Sequence, residues 1–369
     1  MISSIKPTAA VVLEDGTVFF GRSIGIEGET SGELCFNTGM TGYQEIFTDP
    51  SYYGQLMVMA SVHIGNYGVR EDESESNSLK ISGLICRNFT NRGSRPAMDQ
   101  ELKEFFKKHK TIAIAGVDTR ALVQHIRDFG AQNAVVSTDI SNLDDLKKKA
   151  KAVPTMAGLE LSSKVTCSEP YYYGNPAATY KVAALDMGIK QNILRCLAER
   201  DVYVKVFPLN TSFEEFTSWP CDGYFFSNGP GDPAAMPTTA ELVKRIIDLG
   251  KPVFGICLGH QIIGLSQGLE TFKMHHGHRG INHPVMKNST GKGEITSQNH
   301  GFAVKSQSLP NDGSILLTHN HLNDHTVAGI KLKDKPVFSV QYHPESAPGP
   351  HDSRYLFDEF VNLLKQYKS

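Results

Sequence analysis

Pro252-Val253-Phe254-Gly255-Ile256-Cys257-Leu258-Gly259-His260-Gln261, continuing through Ile262 to Ser266, runs an apolar strand pattern straight into an apolar helix pattern. At the junction sits a cysteine with a glycine two residues away on either side. This G-x-C-x-G arrangement is the cysteine counterpart of the serine nucleophile turn of hydrolases. A sharp strand-to-helix turn exposes the side chain, and the glycines let the chain pass closely. A helix N-terminus favours a thiolate, and the amide of Leu258 points to where an oxyanion would develop. A buried structural cysteine is the alternative. It is kept for Cys35, Cys86, Cys167, Cys196 and Cys221, which have no such context.

Outward from this turn the chain alternates. Residues 181–185, 202–207, 223–227 and 252–256 read as strands, and 190–199, 239–249 and 258–266 as helices. Strand and helix alternating through short connections predict a mostly parallel, doubly wound α/β sheet. Ligands in such sheets sit beyond the carboxyl ends of strands. The site is therefore sought after Ser227, Ile256 and Gln341.

A nucleophilic thiol needs a base, and the base needs an orienter. Tyr342-His343-Pro344-Glu345-Ser346 follows a strand-like run at 337–341. In extended chain, residues two apart share a side, so Glu345 can accept the imidazole N–H while His343 faces the sulfur. The predicted triad is Cys257, His343 and Glu345. By itself His-Pro-Glu is weak, because a surface histidine beside a turn proline is commoner; the cysteine turn makes it specific. Residues 227–233 (Ser-Asn-Gly-Pro-Gly-Asp-Pro) follow another strand end, and the Gly229 amide is the candidate second oxyanion donor. Residues 298–302 (Gln-Asn-His-Gly-Phe) read as a similar loop with exposed polar groups.

The first half opens on a hairpin signal, an apolar run at 9–13, Asp15-Gly16, then residues 17–20. Strands are predicted at 56–62, 81–86, 112–117 and 134–137, helices at 99–109, 119–127 and 143–152, and a solvated acidic loop at 71–76. Domains are expected at 1–150 (α/β) and 181–369. Residues 151–180, with Tyr171-Tyr172-Tyr173 and Gly174-Asn175-Pro176, read as the linker.

Composition narrows the function classes. Across 369 residues, 37 basic and 39 acidic side chains leave a formal net charge of −2, mixed along the chain. Nucleic-acid binding as the main activity usually needs a basic face. A hydrophobic fraction of 40% with 21% charged residues excludes disorder, and six scattered cysteines without a C-x-x-C pair fit a reducing cytoplasm. The apolar run after Met1 to Lys6 is too short for a leader core, and no run approaches the ~20 apolar residues of a membrane helix. No P-loop or G-x-G-x-x-G turn is present. His275, His276 and His278 form one histidine group and His319, His321 and His325 another. Neither has a Cys or carboxylate at a familiar zinc spacing, so no metal is assigned and both read as loop histidines.

Residues 255–261 with His343-Pro344-Glu345 resemble the class I (triad-type) glutamine amidotransferase family, a likeness spanning 181–369. The first half resembles one branch of it. Phe36-Asn37-Thr38-Gly39-Met40-Thr41-Gly42-Tyr43-Gln44-Glu45, Thr48-Asp49-Pro50-Ser51-Tyr52, His63-Ile64-Gly65-Asn66, Asp118-Thr119-Arg120 and Gly130-Ala131-Gln132-Asn133 are similar to the small-chain family of carbamoyl-phosphate synthetases. The resemblance implies that Cys257 attacks the amide carbon of glutamine, His343 shuttles the proton, Glu345 orients it, and Gly229 and Leu258 donate N–H groups to the oxyanion. It implies a glutamine site made by Ser51, Gly229, Gly231, Leu258, Gln261, Asn299, Gly301 and Phe302. It further implies no cofactor on this chain. ATP, Mg and bicarbonate belong to a separate large synthetase chain, in a heterodimer or higher assembly, reached by ammonia through a tunnel. The product would serve arginine or pyrimidine biosynthesis, or both. A cysteine peptidase or γ-glutamyl hydrolase shares the triad logic, as does the amidotransferase of another pathway, against which the first 150 residues argue. In a non-catalytic subunit Cys257 would be structural.

Overall fold

The computed structural model describes residues 6–368; residues 1–5 of the N-terminal segment read above, and Ser369, lie outside them. The chain divides into two compact units, Met1–Met156 and Ala157–Ser369.

In the first unit seven strands close into a barrel. The strands of this unit are β1 (Ala9–Leu13), β2 (Val18–Ser23), β3 (Glu29–Asn37), β4 (Gln55–Met59), β5 (His63–Ile64), β6 (Gly83–Ile85), β7 (Asn88–Phe89), β8 (Ile112–Ala115) and β9 (Asn133–Ser137). The barrel order is β1-β2-β8-β6-β4-β3-β9, and β5 and β7 pair separately. β8, β6, β4 and β3 run parallel, and the β1–β2 hairpin joins the barrel antiparallel on both sides. The helices are α1 (Tyr43–Thr48), α2 (Leu102–Lys108), α3 (Thr119–Phe129) and α4 (Leu143–Ala152). Leu102, Phe105 and Phe106 of α2 pack with Phe47 of α1 and Met57 of β4. The acidic segment expected to be a solvated loop is only partly so, since Glu75 is buried and its N–H donates to Thr48 Oγ1 at 2.9 Å.

The second unit is one ten-stranded sheet. Its strands are β10 (Tyr171–Tyr173), β11 (Tyr180–Asp186), β12 (Val202–Pro208), β13 (Gly223–Phe226), β14 (Val253–Ile256), β15 (Thr271–Lys287), β16 (Lys292–Val304), β17 (Ile315–His321), β18 (Val327–Leu332) and β19 (Val337–Val340). Its helices are α5 (Gln191–Ala198), α6 (Phe213–Ser218), α7 (Pro237–Asp248), α8 (Leu258–Ser266) and α9 (Tyr355–Tyr367). The order is β10-β12-β11-β13-β14-β19-β18-β17-β15-β16. Alternate residues of a strand face opposite sides. Val182 and Ala184 of β11 therefore join a core with α5 and α9, while Ala183 and Leu185 join one with α6, α7 and α8. This is the expected double winding, confined to the parallel strands β12, β11, β13, β14 and β19. The rest is antiparallel.

Three sequence expectations are corrected here. The tyrosine cluster read as linker is β10, an edge strand against β12, because Tyr171 and Tyr173 turn into the core beside α5 and Tyr172 stacks on Tyr203 at 5.3 Å. Residues 298–302 are no exposed loop. They lie in β16, and Gln298, Asn299 and His300 are buried. His278 belongs to β15, and His319 and His321 to β17, so these histidines sit on paired strands.

Candidate active site

The carboxyl ends of β13, β14 and β19 converge, as the doubly wound pattern predicts. Cys257 sits at the β14–α8 turn with φ 54 and ψ −104, a strained conformation for a non-glycine residue. It is held there by its own N–H, which donates to Val340 O of β19 at 2.9 Å, and by Gln261 N–H, which returns to Cys257 O at 3.1 Å. The turn is possible because residue 259 is glycine: a Cβ there would lie 2.1 Å from Phe226 O. Leu258 is the first residue of α8, so its N–H has no intrahelical acceptor. The Gly229 backbone packs against the Leu258 side chain, since a Cβ on Gly229 would be 2.9 Å from Leu258 Cδ2 and 2.0 Å from Met187 O.

His343 follows β19, and its N–H donates to Ser297 O of β16 at 2.9 Å. The chain then turns rather than staying extended, with Ser346 N–H returning to His343 O at 3.0 Å and Ser346 at φ 61. The expected side-chain pair still forms: His343 Nδ1 is 2.7 Å from Glu345 Oε1, and both residues are fully buried. Nε2 of His343 is buried without a well-aligned partner, yet the Cys257 thiol is near enough to act on the ring. Burial opposes a charged imidazole here, but Glu345 and then Cys257 outweigh it and raise the pKa of His343. For Glu345 burial pushes the other way, and Lys190 followed by His343 holds the carboxyl below its ordinary range.

Lys190 is the main residue that sequence reasoning missed. At the start of α5, its Nζ lies 3.0 Å from Glu345 Oε1 and 2.6 Å from Ser346 O, with both side chains buried. Asn192 Nδ2 donates to Glu345 O at 2.5 Å. No local pattern marks a lysine at a helix start as the partner of a carboxylate more than 150 residues away.

Of the remaining candidates of this unit, Asn299 lies at the sulfur. Cys257 Sγ is 3.6 Å from Asn299 O and 3.8 Å from Gln341 Nε2. Gln261 Nε2 donates to Phe302 O at 2.7 Å and to Gln341 Oε1 at 3.0 Å. Arg279 Nη1 donates to Asn299 Oδ1 at 2.7 Å, and Lys273 Nζ lies 4.9 Å from the Phe302 ring centre. A Cβ on Gly301 would lie 3.2 Å from Arg279 Nη2. Gly231, at φ +97, bridges to Glu160. Ser51 belongs to the first unit, on the 3-10 turn Pro50–Tyr52, and its N–H donates to Asp49 Oδ1 at 2.8 Å. His260 is a second fully buried histidine near the cysteine. Its Nδ1 is 2.9 Å from Ser339 Oγ, and burial, then His319, pushes it down to about 3.

A strained cysteine at a helix start, a carboxylate-paired histidine and the unbonded helix-start N–H of Leu258 are working parts of a thiol acyl-transfer site. Residues 183–363 match the family model described as glutamine amidotransferase class-I, so the second unit is a domain of that class. Residues 11–136 match the model described as carbamoyl-phosphate synthase small chain, CPSase domain. Curated relatives agree over nearly the full length. The carbamoyl phosphate synthase small chain of Chlorobaculum tepidum is 47% identical, covering 98% of this chain and 99% of its own. That of Synechocystis is 46% identical over 100% and 98%, and that of Synechococcus 45% over 98% and 94%. The chain belongs to the carbamoyl phosphate synthase small-chain family and is a glutamine amidotransferase. No helix among the described residues is long and apolar enough to cross a membrane.

Proposed function

We propose that this chain hydrolyses L-glutamine through a Cys257 thioester and delivers the ammonia to a separate large chain, which makes carbamoyl phosphate from bicarbonate and ATP. The observation that carries the chemistry is the buried relay of Lys190, Glu345 and His343 beside the strained Cys257. His343, its pKa raised, takes the thiol proton as the sulfur attacks the side-chain amide carbon. The C–S bond forms and the carbonyl oxygen becomes an oxyanion, met by the N–H groups of Leu258 and Gly229. The oxyanion collapses, the C–N bond breaks, and His343 returns the proton to the leaving ammonia. A water then gives a proton to His343 and adds to the thioester, and the C–S bond breaks to release glutamate and the thiol. Glu345 holds the imidazole by Nδ1 throughout.

Ser51, Gly229, Gly231, Leu258, Gln261, Asn299, Gly301 and Phe302 are the residues proposed to hold glutamine. This chain needs no cofactor for these steps; ATP and Mg would be bound by the large chain, in a heterodimer or a higher assembly of it. The pathways served are arginine synthesis, pyrimidine synthesis or both. Cys257→Ser, assayed with the large chain, is expected to abolish glutamine-dependent synthesis, by about 10³-fold or more, and to leave ammonia-dependent synthesis intact. Loss of both activities in a folded complex would overturn the reading.

A further inference from the structure

The two histidine groups that look unrelated in the sequence meet in the fold. β15 and β17 pair antiparallel with Val285 opposite His321. This brings His278 and His283 of β15 against His321 of β17, with one ring nitrogen from each within 4.8 Å of the others. His283 Nδ1 and His321 Nε2 are 3.1 Å apart, and the rings of His278 and His321 stack at 4.0 Å. Zinc binds imidazole nitrogens at about 2.0–2.1 Å in a tetrahedron, which sets its ligand atoms about 3.3 Å apart. Spreading the 3.1 Å pair to that spacing takes only a few tenths of an ångström.

The carboxylate missing from the linear spacing comes from the turn after β17. Asp324 Oδ2 lies 2.8 Å from His278 Nε2, and Oδ1 lies 3.2 Å from His321 Nδ1. A carboxylate on the far nitrogen of a ligating histidine fixes its tautomer and orientation; with Nδ1 so engaged, His321 presents Nε2 to His283. Asn323 N–H donates to His321 Nδ1 at 3.2 Å, and Gln298 Oε1 lies 3.2 Å from His278 Nδ1, so ligation gives up the Asn323 bond and one of the His278 contacts. The ligand side chains form a buried floor, with His278 at 8% and His321 at 2% exposure, while Asp324 at 39% leaves a way in from solvent.

We propose that His278, His283 and His321 bind one divalent transition-metal ion of the zinc class, with Asp324 holding the far nitrogens of His278 and His321. Three imidazoles suit zinc and its first-row neighbours rather than calcium or magnesium. The bound ion pins β15 to β17, so it stabilises the fold whatever its effect on turnover. It also lies next to Gln298, which His300 Nε2 contacts at 2.9 Å, and His300 Nδ1 in turn reaches Phe302 O at 2.8 Å.

The test uses the full, tag-free chain after chelator treatment. Zn²⁺ dialysis followed by elemental analysis is expected to give one ion per chain, Co²⁺ to show the intense visible bands of a tetrahedral site, and Zn²⁺ to raise the melting temperature. His321→Ser and His283→Gln are each expected to weaken Zn²⁺ binding by about 100-fold or more, and Asp324→Asn by about 10–100-fold. His325→Ser, an exposed neighbour outside the cluster, keeps wild-type binding. Folding of each variant is checked by its metal-free melting curve, and any one folded variant of the cluster suffices. Wild-type affinity in such a variant, or a folded wild-type chain that takes up no Zn²⁺ and shows only the octahedral Co²⁺ spectrum, would overturn the site.

Discussion

Two regions of the second unit bury histidines, and His343 in one is shifted opposite to His283 and His300 in the other. At the ends of β14 and β19, a single imidazole, His343, faces a fully buried carboxylate that is itself paired with buried Lys190. Between β15, β16 and β17, His278, His283, His300 and His321 pack together, and one half-exposed carboxylate, Asp324, reaches His278 and His321. Burial opposes the charge in both places. Around β15 it wins: burial, then neighbouring imidazoles, pushes His283 down to about 4 and His300 well below its ordinary value. At β19 Glu345 reverses it. His260 shows that nearness to the cysteine is not what matters. It lies three residues beyond Cys257, has Ser339 rather than a carboxylate on its ring, and is pushed down. The buried histidine shifted upward, His343, faces a carboxylate whose own charge Lys190 helps to secure.

The largest expected effect tests that contrast directly. His343→Asn should lower glutamine turnover by about 10²–10⁴-fold, the usual worth of a positioned acid–base group. His260→Asn should lower it by less than about tenfold, because burial disfavours protonation of its ring. Steady-state glutamine hydrolysis by each variant decides, and the reverse ranking would break the comparison.

Lys190 comes next. Lys190→Met leaves the Glu345 charge buried with its leading stabiliser gone, a loss of about 3–5 kcal/mol for a broken buried pair. The sign of the pH effect follows from the direction of the shift. The folded pKa of Glu345 is depressed, so its contribution is present above the unfolded carboxylate pKa and lost as pH falls through the folded value. Removing Lys190 raises the folded value, so the loss begins at higher pH. Melting curves across an acid series should show the midpoint of acid unfolding moved up. An unmoved midpoint would mean that Lys190 does not hold the charge.

The same two regions also differed in how far the sequence could be read. The parallel part was legible because its signals are local: short apolar strands, a glycine-flanked cysteine between strand and helix, and His-Pro-Glu after the next strand. The β15–β16 hairpin was not. Register shifts between Lys273 and His278 and between Gly280 and His283 break the two-residue period, so a 17-residue strand looks irregular. Its polar residues are buried by contacts from afar, His278 by Asp324 and Gln298 by His300, and hydropathy alone assigns such residues to exposed loops. Lys190 was missed for the same reason. In the first unit the sequence carries strand signals at β1, β2, β4, β6, β8 and β9, but closure into a barrel rests on pairings such as β1 with β9 and β2 with β8, between residues about 90 to 130 positions apart, which no local pattern records.

The smallest effects separate the two regions by packing. At the nucleophile turn a Cβ on residue 259 would meet Phe226 O at 2.1 Å, and a backbone oxygen cannot step aside as a side chain can. Gly259→Ala should cost about 1–3 kcal/mol as an overpacked site, with activity lost because α8 carries Leu258 away from Gly229. At the start of β16, a Cβ on residue 293 meets nothing within 4 Å, and Gly293 has no positive φ to protect. There the main term is the unfolded chain, which loses conformational freedom when glycine becomes alanine. Gly293→Ala should therefore stabilise by about 0.4–1 kcal/mol and leave glutamine turnover unchanged. Denaturant midpoints at equal m-values read both effects. A stabilising Gly259→Ala would mean that the turn at Cys257 has slack, and the strain that presents the sulfur would then have to be imposed from the β19 side, through the Cys257 N–H bond to Val340 O.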